Sequence, residues 1–376
     1  MFKKKRGTDS LLKLFDSNSP YIQCFGLSAA RSLAAREEHY TSLCKNGIFS
    51  KIEQVKIFQN YENLRELGGL MFNLTFYCDE KKNLFCHCME KLKFLLESDD
   101  CHLIRQAIST YGNLFEDAST LETLVEMKIL QSISMFLKHT NVDVQRESMR
   151  AVSNILTVCK FHEQVTKHSL NGIISLANTT DNECLYYCVL GLRKIAMYRG
   201  AHSSIVSGAI PILLPLANKL ESKTASNLIM LLRELSGNPN FRFKLVEYGL
   251  IDYALSMTKL KCMNTQAISV SMMRHISEEH NLTPKIVDSG AVKVVVRLVS
   301  RATNDLRCQI SGLLANLSEN CKNHILMVEE GVISAITIMH RFENNETQLV
   351  RLLDLVIFLD EHLFTYSFFQ QRIVRD

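Results

Sequence analysis

Apolar positions in this chain recur at helical spacing. Within Leu250–Leu260, Ile251 is followed by Ala254 and Leu255 three and four residues on, and Ala254 by Met257 three on, which is the spacing of one helical face. A short helix over Phe243–Tyr248 precedes it and is stopped by Gly249. A polar break at Lys261–Asn264 follows, and then a longer helix over Thr265–Ile276. The cluster Asn238-Pro239-Asn240 opens the group as a helix start. One short and two longer helices cannot bury an apolar face alone, whereas stacked copies of such a unit can.

The grouping repeats. A glycine that opens an apolar run stands at Gly47, Gly208, Gly249, Gly290 and Gly331, and Cys88, Lys128 and Ser169 fill the intervening slots. Successive positions differ by 41, 40, 41, 39, 41, 41 and 41 residues. A second marker lies about 26 residues later in each unit and reads apolar–x–Asn–apolar around Asn73, Asn154 and Asn316, more loosely around Asn113. The same slot holds Ser32, Lys194, Glu234, His275 and, near the end, Phe358. Two markers keeping one period predict an all-α stack of about nine repeats of 40–42 residues. Residues 1–6 read as a basic leader, residues 7–361 as the stack and residues 362–376 as an apolar tail. The first unit has no room for its short helix, and its last helix starts at Pro20, a residue suited to a first helical turn. In the tail, Phe364, Tyr366, Phe368 and Phe369 are expected to cover the last open core or to dock a partner.

The runs "LVEYGLIDYALSM" and "GLLANLSEN" resemble armadillo repeats, the units of importin-α and β-catenin. HEAT repeats are the alternative, although their units carry two helices and no glycine between a short helix and a long one. The armadillo resemblance implies a right-handed superhelix, an α-solenoid, whose third helices line a concave groove. It also implies that the asparagine slot faces that groove, where an amide fixes the backbone of an extended ligand through its donor and acceptor. The candidate slot residues are Asn73, Asn113, Asn154, Lys194, His275 and Asn316.

Eight residues before three of these asparagines stand Arg65, Arg105 and Arg146, and Gly69, Ser109 and Arg150 lie midway. Positions i, i+4 and i+8 share one helical stripe, so each arginine is expected on the face of its asparagine. Helices about 10 Å apart would set the three arginines along about 20 Å, the reach of about six extended residues. Such a row would favour carboxylate or phosphate through bidentate pairing. The competing reading pairs the arginines with Glu62, Asp143 or Glu147 and gives the asparagines a stacking role. Importin-α carries tryptophan four residues before the asparagine to hold basic import signals. Here that position is never aromatic and the chain has no tryptophan, so recognition of that kind is not expected.

Composition narrows the rest. Only 5 prolines and 15 glycines break a chain that is 47% hydrophobic, which suits a large helical core. A net charge of +4 is small for a nucleic-acid binder of this length. The basic run Lys3–Arg6 reads as a solvated leader, an import signal or a contact for an acidic surface. Twelve cysteines lie mostly in apolar helical patterns, as in a reducing compartment, so a cytoplasmic location is expected, with nuclear access open. No secretory signal and no membrane span is expected.

Cys78, Cys86, His87, Cys88, Cys101 and His102 cluster without the spacing of a zinc site, and Cys184 and Cys188 read as packing. His275–His280 lacks the His-Glu-x-x-His order of metalloproteases, and no phosphate loop, serine elbow or dinucleotide fingerprint occurs. The expectation is a non-enzymatic protein-binding scaffold without cofactor, metal or small-molecule ligand. It would hold an extended acidic or phosphorylated segment of another protein. A structural subunit of a cytoskeletal, axonemal or membrane-associated assembly is one alternative, and a substrate receptor or GTPase regulator another.

Overall fold

The computed structural model describes residues 2–56, 60–76 and 81–342, and every regular element among them is a helix. Cys78, the slot near Phe358 and the apolar tail at 362–376 lie outside the described residues. The chain divides into two compact units, Met1–Ile195 and Ala196–Asp376. Within each, helices adjacent in sequence pack consecutively, the arrangement of an α-solenoid.

The first unit opens with a helix over Phe2–Leu12, which carries the Lys3–Arg6 run in its backbone. The asparagine-slot helices then follow as Pro20–Ala34, Tyr61–Leu74, Cys101–Leu114, Val142–Ile155 and Asn182–Ile195. Their counterparts in the second unit are Ser222–Ser236, Met263–Ser277 and Asn304–Ser318. We call these the ladder helices. Helices of 14 or 15 residues are marginal alone in water, so their packing holds them. Leu70, Met71 and Leu74 are fully buried in one ladder helix, as are Ile310, Leu313 and Leu317 in another. Side-chain caps start several of them. Asp100 accepts from the backbone of His102 and Leu103, and Asn141 from that of Asp143 and Val144.

The glycine marker works through backbone handedness. Gly47, Gly249, Gly290 and Gly331 have φ between +78° and +94°, a conformation open to glycine without a Cβ clash. Lys128 takes it too, at φ +61°. At Cys88 and Ser169 the expected break is absent. Lys81–Leu96 and His162–Ser175 each run through as one helix, with the slot residue buried in the core. Without glycine, continuing the right-handed helix costs less than turning left-handed. Two units therefore have a single helix where the sequence pattern predicts two.

A third periodic device closes the C-terminal ends of the ladder helices, whose last carbonyls have no partner inside the helix. Thr120 donates to Leu114 O at 2.7 Å, His162 Nε2 to Leu156 O at 3.1 Å and His202 Nε2 to Ala196 O at 2.6 Å. Arg242 Nε reaches Ser236 O at 3.2 Å and His324 Nε2 reaches Ser318 O at 2.6 Å. Each donor is buried and lies six residues after its acceptor. In the second unit these donors also tie repeats together. Asn238 reaches His202 Nδ1 at 3.1 Å, and Glu278 and Glu279 hold Arg242 at 2.5 and 3.0 Å.

Among the described residues no single helix is long and apolar enough to cross a membrane. One bent pair, Arg199–Gly208 and Ile210–Lys219, meets at 62° and would pass by composition together, but Ile205, Val206, Ile210 and Leu213 are buried against protein.

Replacing His202 by leucine leaves a buried carbonyl without a donor and is expected to cost about 1–3 kcal/mol. Urea unfolding followed by circular dichroism should show a lowered midpoint for His202→Leu. His280→Leu, at an exposed ring, should leave it almost unchanged.

Candidate functional site

The slot residues turn their donors toward the preceding ladder helix. Asn73 Nδ2 donates to Arg31 O at 2.9 Å, and Asn154 Nδ2 to Gly112 O at 2.9 Å and Glu116 at 3.1 Å. Lys194 Nζ reaches Ser153 O at 2.8 Å, and Asn316 Nδ2 reaches Ser277 Oγ at 2.9 Å and Arg274 O at 3.4 Å. His275 Nδ1 meets Ser236 Oγ at 2.9 Å. Asn113 is consumed on both sides, donating to Thr75 Oγ1 at 2.7 Å and accepting from Arg150 Nη1 at 3.0 Å. In every case the partner lies 37–42 residues away, so the slot staples one repeat to the next. Burial holds the Lys194 ammonium below the usual lysine range, with Arg193 adding to the effect.

The arginine row divides. Arg146 is enclosed by acids: its guanidinium meets both Asp181 oxygens at 3.1 and 2.6 Å, Asp143 at 2.9 Å and Glu183 at 3.5 Å. The hydrogen bond to Asp181 is the main reason its pKa rises, and Asp181 is held low by the same contact. Arg150 is spent on Glu147 at 2.9 Å, Asn113 and Ser109 O at 3.1 Å. Arg65 and Arg105 differ from both. Arg65 lies over the Tyr61 ring at 5.3 Å, and Arg105 touches His102 at 3.4 Å. Among the described residues neither has a carboxylate within 4.0 Å.

Arg31 joins them from the preceding ladder helix. A recess of about 260 Å³ is lined by Arg31, Gly69, Asn73, His102, Arg105 and Ser109 among others, with one acid, Glu147, which is held by Arg150. The space left by the missing side chain of Gly69 is occupied by Arg31, since a Cβ on Gly69 would fall 2.5 Å from its Nε. Arg31 continues across to Glu66 at 3.2 Å. The second unit repeats the pattern. Arg274 lies 2.8 Å from a Cβ built on Gly312 and reaches Gln309 at 3.1 Å, beside a smaller recess of about 110 Å³ that includes Arg233, Ser271 and Asp305. The arginine one residue before the slot recurs as Arg31, Arg193, Arg233 and Arg274. That period is visible in the sequence and was the available signal for Arg31. The acids around Arg146 gave a weaker one, because Asp181 and Glu183 belong to the next ladder helix.

Several cations bear on the His102 ring. Burial, then Arg65, Arg105 and Arg31, push the imidazole below its ordinary 6.5, while Asp100 opposes them. His275 is lowered by burial first and by Arg242, Arg274 and Arg233, against Glu278. Cys88, Cys184 and Cys188 are buried thiols raised by burial, Cys184 to about 11, and Cys86 is exposed.

Neither a family model nor a curated protein sequence matches this chain. Solved structures do match. An engineered protein crystallised by the Northeast Structural Genomics Consortium aligns over 94% of this chain and 89% of its own, with a TM-score of 0.80 at 18% identity. Two other engineered proteins from that consortium, each 19% identical, align over 61% of this chain and 96% and 99% of theirs, with TM-scores of 0.57. Identities this low carry the fold alone.

Since the folded His102 pKa lies below the unfolded value, the unfolded chain takes up the proton first as pH falls below about 6.5. His102 and His275 therefore withdraw stability below that pH, and the loss levels off once the folded rings protonate. Arg105→Gln should raise the His102 midpoint in an NMR titration, while Lys219→Gln, at an exposed lysine of the other unit, should leave it in place.

Proposed function

We propose that this chain is a non-enzymatic armadillo-type scaffold, a right-handed superhelix of about nine repeats. Its ladder face holds an extended acidic or phosphorylated segment of a partner protein. The glycine and asparagine markers at a forty-odd-residue period support the family reading. The observation that carries the function is the convergence of Arg31, Arg65 and Arg105 on His102, beside Asn73, with two of the arginines unpaired by acids among the described residues. Guanidinium groups held by stacking and by a neighbouring ring are pre-set for bidentate pairing with carboxylate or phosphate. The slot asparagines contribute less than the family resemblance implies, because their donors already hold the preceding helix. Arg146 and Arg150 shape the wall rather than bind. The thiol usage supports a reducing compartment, cytosolic or nuclear.

Fluorescence anisotropy with a phosphoserine and glutamate peptide library tests this reading. Arg65→Glu with Arg105→Glu should weaken the selected peptides by about tenfold or more, one lost charge-assisted contact being worth ~1.5–3 kcal/mol. Binding should weaken with salt, and the charge-matched control Lys219→Glu with Lys223→Glu, at exposed lysines of the other unit, should bind normally. Equal binding by the double variant and the parent would refute the site.

A further inference from the structure

A second surface of the first unit shares no residue with the ladder recess. It is a hollow of about 870 Å³ between the helices Lys81–Leu96 and Ile129–Met135. Leu96 and Ile129 lie on its buried side, and Phe136 flanks them. Two methionines stand out at its edge, Met127 48% and Met135 79% exposed. Exposed thioethers beside a hollow adapt to an inserted apolar side chain, because methionine is unbranched and polarizable. The rim is cationic. Lys93 and Lys138 border it, and Glu97 is the single acid there, 4.0 Å from Lys93.

A backbone feature points to the same place. Lys128 stands between Met127 and Ile129, is exposed, and holds a left-handed φ of +61° where Gly47, Gly249, Gly290 and Gly331 serve the equivalent turns. Such a conformation costs a side-chain-bearing residue roughly 1–2 kcal/mol. At Cys88 and Ser169 the chain avoids that cost by continuing as a helix. At position 128 it keeps both the turn and the lysine, and so carries a further cation in the exposed turn between two residues that line the hollow, Met127 and Ile129. Among the described residues neither Lys128 nor Lys138 has a carboxylate partner within 4.0 Å.

We propose that this hollow docks an amphipathic helix of a partner protein, with its apolar face on Met127, Met135 and Phe136 and acidic residues toward Lys93, Lys128 and Lys138. An apolar floor with a rim in which lysines outnumber the single acid Glu97 is the complement of an acid-flanked helix. A lipid surface fits less well, because an interfacial element lays a protruding apolar face into the bilayer, whereas this surface is concave.

The test uses the full chain with methionine methyls labelled for NMR. Three probes are compared: a synthetic amphipathic helix of about five turns with leucine on one face and glutamate on the other, the same helix with lysine for glutamate, and vesicles of phosphatidylcholine and phosphatidylserine. The acidic helix should shift the Met127 and Met135 methyls and bind about tenfold more tightly than the basic one. Met135→Glu, at an exposed position, should weaken it by about tenfold. Lys128→Gly should raise the melting temperature by relieving the left-handed lysine, yet weaken the helix by about threefold. The proposal is overturned if both helices act alike, if neither moves those methyls, if only vesicles do, or if Lys128→Gly stabilises without loss of affinity.

Discussion

The carbonyls that end five of the eight described ladder helices meet buried side-chain donors inside the stack. A stack of helices buries its own helix ends, and an unmet carbonyl there costs about as much as a lost hydrogen bond. The chain answers with a side chain six residues on, as threonine, histidine or arginine at 120, 162, 202, 242 and 324. In the second unit Asn238, and Glu278 with Glu279, extend those contacts to the next repeat. The slot residues perform the same service nearby, giving Asn73, Asn154 and Lys194 to carbonyls of the preceding ladder helix. Polar satisfaction thus fixes how neighbouring repeats meet, and the ladder face is built from what remains.

What remains is unevenly charged. Toward Val142–Ile155 and Asn182–Ile195, acids and arginines close on one another: Arg146 with Asp181 and Asp143, Arg150 with Glu147. Toward Pro20–Ala34 and Cys101–Leu114, Arg31 pairs with Glu66, while Arg65 and Arg105 have no carboxylate within 4.0 Å among the described residues, and all three act on one imidazole. Similar arginines on one face therefore differ in purpose through their neighbours. An arginine already gripped by two carboxylates gains little from a third anion, whereas one held by a ring keeps most of its pairing capacity.

The fold was legible because its signals are local and repeat. A glycine at a left-handed turn and apolar residues at helical spacing announce themselves in any one unit, and Pro20 marks a helix start correctly. Cys88 and Ser169 depart from the pattern: position alone suggested a break, but there the chain runs on as one helix, whereas Lys128 turns left-handed without glycine. The site was half legible. Arg65 and Arg105 do meet near one ring, but the fate of Arg146 depends on Asp181, 35 residues away, and helical spacing within one repeat says nothing of that. The place of Gly69 was visible, but not that Arg31 fills it, since that is a contact between repeats. The hollow beside Met135 left no periodic trace, because it forms where two helices part.

The division of the arginines is open to direct measurement through their Nε–H resonances in labelled protein. Arg146 should exchange its proton slowly and stay unmoved when a phosphoserine peptide is added. Arg65 and Arg105 should exchange fast and shift together with the His102 ring. If Arg146 exchanges as fast as Arg65, or answers the peptide as strongly, the ladder face is not partitioned as described and the account of the site fails.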